Sequence, residues 1–144
     1  MSSFLDELCA YMEDQDASFI FNDQTVDDPI NTFAGTYPDE PANLTALMGT
    51  TGSNIQAQRD VAELTFPRFQ LVVRDEDYET AATRYESARA ILHGMIGKML
   101  QTKYVMRCHA EQEGGPIGQD KEGRFEFVGN FNAEYYILPV EDSI

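Results

Sequence analysis

The apolar residues near the start of the chain recur at the spacing of an α-helix. Four of them fall on one face of such a helix: Phe4, Leu8, Tyr11 and Met12. Side chains at i, i+4, i+7 and i+8 lie on one stripe, which a surface helix buries against the rest of the domain. Ser3 followed by Asp6 resembles a capping box in which Asp takes the Glu/Gln position. We therefore predict a helix from residue 3 to about residue 14.

A longer apolar stripe begins after the acidic run at residues 75–77, which suits the N-terminal end of a helix electrostatically. Its members are Tyr78, Ala81, Ala82, Tyr85, Ala88, Leu92, Met95, Ile96 and Met99. Gly94 and Gly97 weaken the stripe and mark where a helix would kink or end early. We predict one long helix from about residue 76 to about residue 102.

Short runs rich in aromatic and β-branched residues predict strands between and after these helices. The runs cover residues 19–21, 32–36, 44–48, 69–74, 104–110, 124–130 and 132–139. Residues 113–116 and 118–123 are typical of turns. Residues 49–65 show no clean period and are mostly polar, so we predict a long exposed loop there, mobile in the free protein and ordered in an assembly.

Alternation within the last strands predicts which side chains share a face. Phe125, Phe127 and Phe131 fall on one face of the 124–130 and 132–139 region, with Gly129 between them. In the run 104–110 we expect the even-numbered residues, Met106 and Cys108 among them, to share a face.

The order helix, strands, helix, strands predicts one α+β domain over residues 1–144. In it, a mixed or antiparallel sheet is covered by an N-terminal helix and a long central helix.

The charge of the chain is strongly acidic and narrows the functional classes. Ten Lys and Arg residues stand against twenty-five Asp and Glu residues, for a net charge of -15. Tight binding to nucleic acid depends mostly on Lys and Arg, so a gripping DNA- or RNA-binding protein is disfavoured. No apolar run is long enough for a membrane span, and the first residues do not resemble a secretory signal. We expect no membrane partner.

Histidine and cysteine, two residue types that often perform catalysis, are scarce in this chain. His93 and His109 are the only histidines, and neither belongs to a zinc-binding pattern. Cys108 and His109 are adjacent in a predicted strand, so their side chains should point to opposite faces and form no dyad. Cys9 and Cys108 are interpreted as reduced, partly buried thiols. We expect no enzyme activity, no cofactor and no metal.

Several acidic and aromatic groups have a structural explanation as well as a functional one. The run at residues 75–77, with Glu79, suits a helix start better than a metal site. Asp39 and Glu40 lie between two prolines, which favours a solvated turn. Residues 120–124 lack the spacing of a calcium loop and favour a tight turn with Gly123 at positive φ. Four aromatics that would otherwise suit base stacking are expected in the core: Phe125, Phe127, Tyr135 and Tyr136.

Three segments, taken in order, resemble a known family. The first is Thr32-Phe33-Ala34-Gly35-Thr36-Tyr37-Pro38-Asp39-Glu40-Pro41-Ala42-Asn43-Leu44, running on to residues 49–52. The second is Pro67-Arg68-Phe69-Gln70-Leu71-Val72-Val73-Arg74, followed by residues 77–79, 81–82 and 91–94. The third is Ile117-Gly118-Gln119-Asp120-Lys121-Glu122-Gly123-Arg124, closing with Asn130-Phe131. The chain resembles the phage minor capsid and tail-terminator proteins, also described as tail-completion or head–tail joining proteins, over roughly residues 30–136.

This resemblance implies a structural virion subunit that forms a hexameric ring with copies of itself. In that family the ring caps the finished tail tube and connects it to the head-side neck, so the implied partners are the tail tube protein and neck or head-completion proteins. The implied locations are the tail–neck junction of the virion and, during assembly, the host cytoplasm. The family has no universal catalytic residues. The matching Arg74, Asp120, Arg124 and Asn130 are candidates for structural or interface roles.

The residues by themselves leave two other functional classes open. One is a generic intracellular α+β module that binds a small ligand or a peptide, and the other, which we disfavour, is a small enzyme. If the chain forms a ring, DNA would make only passing contact with its lumen, which we expect to be acidic or neutral. A lumen lined by Lys and Arg would hold phosphate tightly through counterion release.

Overall fold

A computed structural model of the chain describes residues 3–22, 29–39, 41–49, 54–56 and 64–137, with residues 54–56 described by their backbone alone. The described chain contains two helices, α1 (Phe4–Gln15) and α2 (Tyr78–Leu92). The first five strands are β1 (Thr32–Ala34), β2 (Leu44–Gly49), β3 (Asn54–Gln56), β4 (Leu64–Phe66) and β5 (Arg68–Asp75). The other four are β6 (Met95–Met99), β7 (Lys103–Ala110), β8 (Gly115–Gln119) and β9 (Phe125–Ile137).

All nine strands join one mixed sheet built around the 13-residue strand β9. On one side, β5 pairs with the first half of β9 and β4 with the second half. Pro67, between these two strands, accepts a hydrogen bond from the Ala133 amide at 3.0 Å. On the other side, β8 and β7 divide β9 in the same way. The pairing of β1 with β2 is parallel, and the other described pairings are antiparallel.

The fold class predicted from the sequence is wrong, because the chain is mostly sheet and its described part has no long central helix. The predicted helix 76–102 ends at Leu92, and residues 95–99 form β6 instead. Gly94 and Gly97 adopt φ values of +83° and +62°, in a region that glycine occupies without steric penalty. Gly94 lies in the turn directly after α2 and directs the chain out of the helix, while Gly97 lies within β6 in a conformation that a helix excludes.

The N-terminal helix forms where the sequence predicts it. The Ser3 hydroxyl accepts a hydrogen bond from the Asp6 amide at 3.1 Å, and Phe4, Leu8 and Met12 are buried. In α2 the cap is Asp77, whose carboxylate accepts from the Thr80 amide at 2.9 Å. Side-chain caps of this kind satisfy amides that have no partner within the helix, which explains where both helices begin. Neither described helix is long and apolar enough to cross a membrane.

Both helices pack on the same face of the sheet, which we call the first face. The core here includes odd-numbered residues of β5 and β9, as alternation along a strand requires. Phe127 and Phe131 are buried and Phe125 packs at the edge of this core, which confirms that the three share a face. Phe131 stacks on Phe69 with ring centroids 5.4 Å apart. The opposite or second face carries a smaller cluster of Leu44, Ala46 and Val72.

A buried ion pair fastens α1 to the turn between β6 and β7. The Lys103 ammonium lies 2.8 Å from the Glu7 carboxylate, and both side chains are almost fully buried. The same carboxylate accepts from the Thr102 amide and hydroxyl at 2.8 and 2.5 Å. Burial alone would raise the pKa of Glu7, but the hydrogen bonds from Lys103 and Thr102 outweigh it and hold that pKa below its usual value.

Several strand boundaries differ from those predicted. Residues 124–139 were expected to form two strands, but β9 continues without a break from Phe125 to Ile137. The turns predicted at residues 113–116 and 118–123 are wrong in part, because residues 115–119 form β8; a tight turn follows that strand. Residues 19–21 bury Phe19 and Ile20 without forming a strand.

The long loop predicted at residues 49–65 is wrong where the structure describes that segment. Gly49 ends β2, residues 54–56 form β3, and β4 begins at Leu64. The other residues of the segment, and the mobility predicted for them, lie outside the described residues.

The face prediction for residues 104–110 fails because β7 contains a β-bulge. The register between β7 and β9 shifts between Val105 and Arg107, so one extra residue, Met106, stands at that point. Val105 and Cys108 are therefore both fully buried although they are three residues apart, while Met106 is exposed. Strict alternation would have placed Met106 beside Cys108.

The aromatic ring of Tyr85 on α2 ends in a space that two glycines leave open. A methyl group on Gly114 or on Gly129 would fall on the Tyr85 hydroxyl, which is buried and has no hydrogen-bond partner among the described residues. Burial also raises the pKa of Tyr85. The approach of α2 to β9 therefore depends on Gly129 having no side chain.

Replacement of Leu92 by Ala should lower the free energy of unfolding by about 2–5 kcal/mol, because it removes a fully buried side chain from the packing of α2 on the sheet. Urea unfolding measures the loss. Ile117→Ala, at a side chain 66% exposed, is the control and should change stability by less than about 0.5 kcal/mol. A loss at Leu92 as small as the control's would show that α2 is not part of the core.

Replacement of Gly129 by Ala should cost about 1–3 kcal/mol through overpacking against Tyr85. In a Tyr85→Phe background the loss should shrink, since the next atom of that ring, Cζ, lies 3.1 Å from the added methyl position. Gly114→Ala is the control that Tyr85→Phe should not rescue, because its methyl also meets the Val128 carbonyl oxygen at 2.6 Å. Urea unfolding of the double-mutant cycle decides, and additive losses for the Gly129 pair would refute the contact.

Candidate functional site

Part of the second face is covered by a turn-rich segment, residues 35–39 and 41–43, which we call the anchored loop. It follows β1 and precedes β2, and Arg74 at the end of β5 reaches across to it. The Arg74 guanidinium donates to four main-chain carbonyl oxygens: Ala42 at 3.2 Å, Pro38 at 3.2 Å, Asp39 at 2.8 Å and Pro41 at 2.9 Å. It also lies over the Tyr37 ring, 5.6 Å from the centroid. One buried side chain thus satisfies most of the loop's inward-facing carbonyls.

A second arginine, Arg124, holds the same loop from the position directly before β9. Its guanidinium donates to the Asp39 carbonyl at 2.7 Å and forms an ion pair with Asp120 at 2.7 Å. Glu122 lies 3.1 Å away on the open side. The Asp120 carboxylate also accepts from the Arg124 amide at 3.0 Å, which closes the turn before β9. Gly123 has φ of +80° in this turn, as predicted.

The two arginines meet at one atom, the carbonyl oxygen of Asp39. Arg74 pairs with Glu126 in the β5–β9 register, and Arg124 lies two residues before Glu126, in the turn that leads into β9. Both guanidiniums are buried, whereas the Asp39 side chain is 86% exposed. Burial opposes ionisation of Asp120, but hydrogen bonds from Arg124 and Glu122 outweigh it and keep its pKa below the usual value. The arrangement fixes a backbone and presents a carboxylate to solvent.

Three of the four residues singled out from the sequence come together here, and the fourth does not. Arg74, Asp120 and Arg124 form the anchor of the loop. Asn130 lies farther along β9, opposite Gln70, and its carbonyl accepts from the Glu111 amide at 2.8 Å. The sequence reading missed the main-chain acceptors of the loop, because a carbonyl group is supplied by every residue type. The sequence did contain an indication of the anchor. The turn from Pro38 to Pro41 and the two arginines, Arg74 and Arg124, all lie in the three segments that carry the family resemblance.

A second arginine-centred junction lies beside the anchored loop and was not anticipated. Arg84 on α2 donates to the Thr45 hydroxyl at 2.6 Å and to the Asn31 side-chain oxygen at 2.9 Å. It also lies over the Phe19 ring, 4.5 Å from the centroid. Burial lowers the pKa of Arg84. An open groove of about 500 Å³ borders this arginine, with Asp75 and Glu79 on its wall, so the groove combines a partly buried cation with acidic neighbours.

The groups with nucleophilic or metal-binding potential are held in structural positions. Cys9 and Cys108 are buried thiols, and burial raises the pKa of Cys108 to about 12. His93 caps α2, and its Nδ1 accepts from the Ala110 amide at 2.9 Å. Within the described residues, no three His, Cys, Asp or Glu side chains are grouped to hold a metal ion. The geometry of this region supports anchoring of a surface rather than catalysis at it.

Comparison with known proteins agrees with the family resemblance noted from the sequence. A family model described as "Bacteriophage tail terminator protein" matches residues 7–137. A search of curated proteins found no match. The fold is similar to a chain of a solved structure titled "Virion of native gene transfer agent (GTA) particle". That similarity has a TM-score of 0.57 at 13% identity, and covers 94% of this chain and 99% of the other.

Replacement of Arg74 by Lys should lower the free energy of unfolding by about 2–3 kcal/mol, because an ammonium cannot match the four carbonyl contacts of a planar guanidinium. Amide exchange should also accelerate in the anchored loop. Arg68→Lys is the matched control, since Arg68 forms an exposed ion pair with Glu111, and exposed pairs of this kind contribute little to stability. Equal effects of the two substitutions on stability and exchange would contradict the anchoring role.

Proposed function

We propose, since the chain belongs to the bacteriophage tail terminator family, that it forms a ring which caps the tail tube and joins the tail to the head-side neck. Family membership makes the chain a structural component of a virion tail and implies a structural protein rather than an enzyme. The hexameric ring, its position and its contacts are the parts that we infer. The implied partners are further copies of this chain, the tail tube protein, and neck or head-completion proteins.

The observation that carries the proposal is the extent of the family match. It begins within α1 at Glu7 and ends at Ile137, the last residue of β9. The match therefore includes the sheet, most of both faces and the anchored loop, which supports treatment of residues 1–144 as one tail-terminator domain. A generic binding module has no comparable observation in its favour, since the groove beside Arg84 is open and lined mainly by polar side chains.

The anchored loop supports a role in assembly. A docking surface that is already ordered loses less conformational freedom on contact, which favours association. Arg74 and Arg124 order this loop in advance and leave the Asp39 carboxylate exposed. We infer that Arg74, Asp120 and Arg124 stabilise a docking surface, and that Asn130 belongs to the uncovered part of the second face.

The purified protein should form a ring of six copies, alone or on addition of tail tubes. Native mass spectrometry should then detect about 97 kDa, six times the 16.2 kDa of one chain. The assembled particle should bind the ends of tail tubes and not their sides, as electron microscopy can show. A protein that stays monomeric at all concentrations and does not bind tubes would overturn the proposed function.

The lumen of such a ring should be acidic or neutral. Six copies at -15 carry -90 in all, and basic side chains that could line a hole are few. Arg74 and Lys103 are buried, and Arg84 is engaged with Thr45 and Asn31. Fluorescence anisotropy of labelled duplex DNA should show no tight binding to the isolated ring at about 50 mM salt. Tight binding that weakens steeply as salt is added would contradict this expectation.

A further inference from the structure

A hydrogen bond between a side chain and the backbone joins the end of α2 to strand β7. The Ala110 amide donates to Nδ1 of His93 at 2.9 Å. His93 is the residue directly after α2, and its own amide donates to the Arg89 carbonyl at 2.7 Å. One residue therefore ends the helix with its backbone and contacts the sheet with its imidazole. We call the bond between His93 and Ala110 the junction bond.

The junction bond occupies a position that a strand carbonyl would otherwise take. Strand β6 pairs with β7 from Met95, which lies opposite Cys108. The Gly94 amide donates to the Cys108 carbonyl at 2.9 Å, so the ladder extends one residue beyond β6. Because bonding groups recur at every second residue along one edge of an antiparallel strand, the next group on this edge of β7 is the Ala110 amide. The imidazole of His93 supplies the acceptor for it.

The direction of this hydrogen bond determines the charge state of the imidazole. A backbone N–H can only donate, so Nδ1 must offer a lone pair, and the proton of the neutral ring is on Nε2. In a protonated imidazole both nitrogens carry hydrogen and neither can accept. Protonation of His93 therefore breaks the junction bond and leaves two N–H groups facing each other. The bond is present at higher pH, where His93 is neutral, and is lost as the pH falls.

Other charged groups surround this bond, and one of them is a second histidine. The elements that meet here carry the following charged or titratable side chains near the junction: Arg89 on α2, Lys98 on β6, Arg107, Cys108 and His109 on β7, and Glu111 and Glu113 after β7. Glu111 forms an ion pair with Arg68, and Arg107 forms one with Glu134. His109 is next to the donor residue and is of the type that ordinarily changes charge near neutral pH. An experiment must therefore distinguish the two histidines.

We propose that the junction bond is a pH-sensitive latch between the end of α2 and the edge of the sheet. Among the strands that the structure describes, β6 pairs only with β7, so the start of β6 has support from one side. Neutral His93 holds this start in place, and protonation releases it. The opening stays local, because the backbone bonds between β6 and β7 do not titrate. The latch does not depend on ring formation, so its failure would leave the proposed function untouched.

Solvent exchange of the Ala110 amide, measured by NMR between about pH 8 and about pH 5, tests the latch directly. After correction for the intrinsic pH dependence of exchange, protection of Ala110 should fall about two- to tenfold on acidification, as expected for the loss of one hydrogen bond. Nitrogen chemical shifts should show the proton of the neutral His93 ring on Nε2. Protection that does not change with pH, or a neutral ring protonated on Nδ1, would overturn the proposal.

Substitutions then assign the effect to one histidine. His93→Asn provides Oδ1 in place of the ring Nδ1 and does not titrate, so Ala110 should stay protected over the whole pH range. His93→Phe has no acceptor and should give the lower protection at every pH. The matched control, His109→Asn, should keep the pH dependence of the wild type. Persistence of that dependence in His93→Asn, or its loss in His109→Asn, would assign the titration to another group and refute the latch.

Discussion

The pairing of strand β9 with four other strands is the constraint on which the rest of the structure depends. Its first half lies between β5 and β8, and its second half between β4 and β7. Because one continuous strand sets the register of all four, its alternation determines both faces of the sheet at once. A slip by one residue would move Phe127 and Phe131 out of the core that α1 and α2 cover. The helices and the anchored loop take their positions from this register.

The two faces of the sheet around β9 have different roles: one is buried in the folded subunit, and the other is partly open to a partner. The first face is closed by the helices, which bury the aromatic residues and leave Gly129 as the point where Tyr85 approaches. The second face is covered near Arg74 by the anchored loop. A sheet that needs only one covered face can offer the other to a partner. This suits a small subunit whose stability must precede its assembly.

Four of the ten basic residues of the chain are used inside the subunit. Arg74, Lys103 and Arg124 are buried with carbonyl or carboxylate partners, and Arg84 joins α2 to β2. The surface that remains is therefore dominated by acidic groups. Copies of such a subunit repel each other, so a ring requires apolar contact and local charge complementarity to overcome that repulsion.

The sequence was sufficient for the elements whose signals are local. The capping at Ser3, the strand at residues 69–74 and the shared face of Phe125, Phe127 and Phe131 follow from spacing alone. The prediction of a long central helix was wrong. Met95, Ile96 and Met99 fit a helical period, but Gly94 and Gly97 have positive φ values that a right-handed helix does not allow. Similarly, the bulge at Met106 depends on how β7 and β9 fit together. Long-range pairing decided these cases, and no local period records it.

The candidate site was predictable in part, and the reason lies in the chemistry of its acceptors. The family resemblance selected Arg74, Asp120 and Arg124. Among their contacts, the ion pair between Arg124 and Asp120 joins two side chains only four residues apart in the sequence. The connection that the two arginines share passes through the Asp39 carbonyl, which a different residue at position 39 would also provide. When the acceptors of a site are main-chain oxygens, only the donor side chains can be recognised in the sequence. Such an anchor is therefore recognised by its donors: two buried arginines, each next to a strand end, that face a turn bounded by prolines. In a structural subunit, anchors of this kind determine which surfaces are held in place.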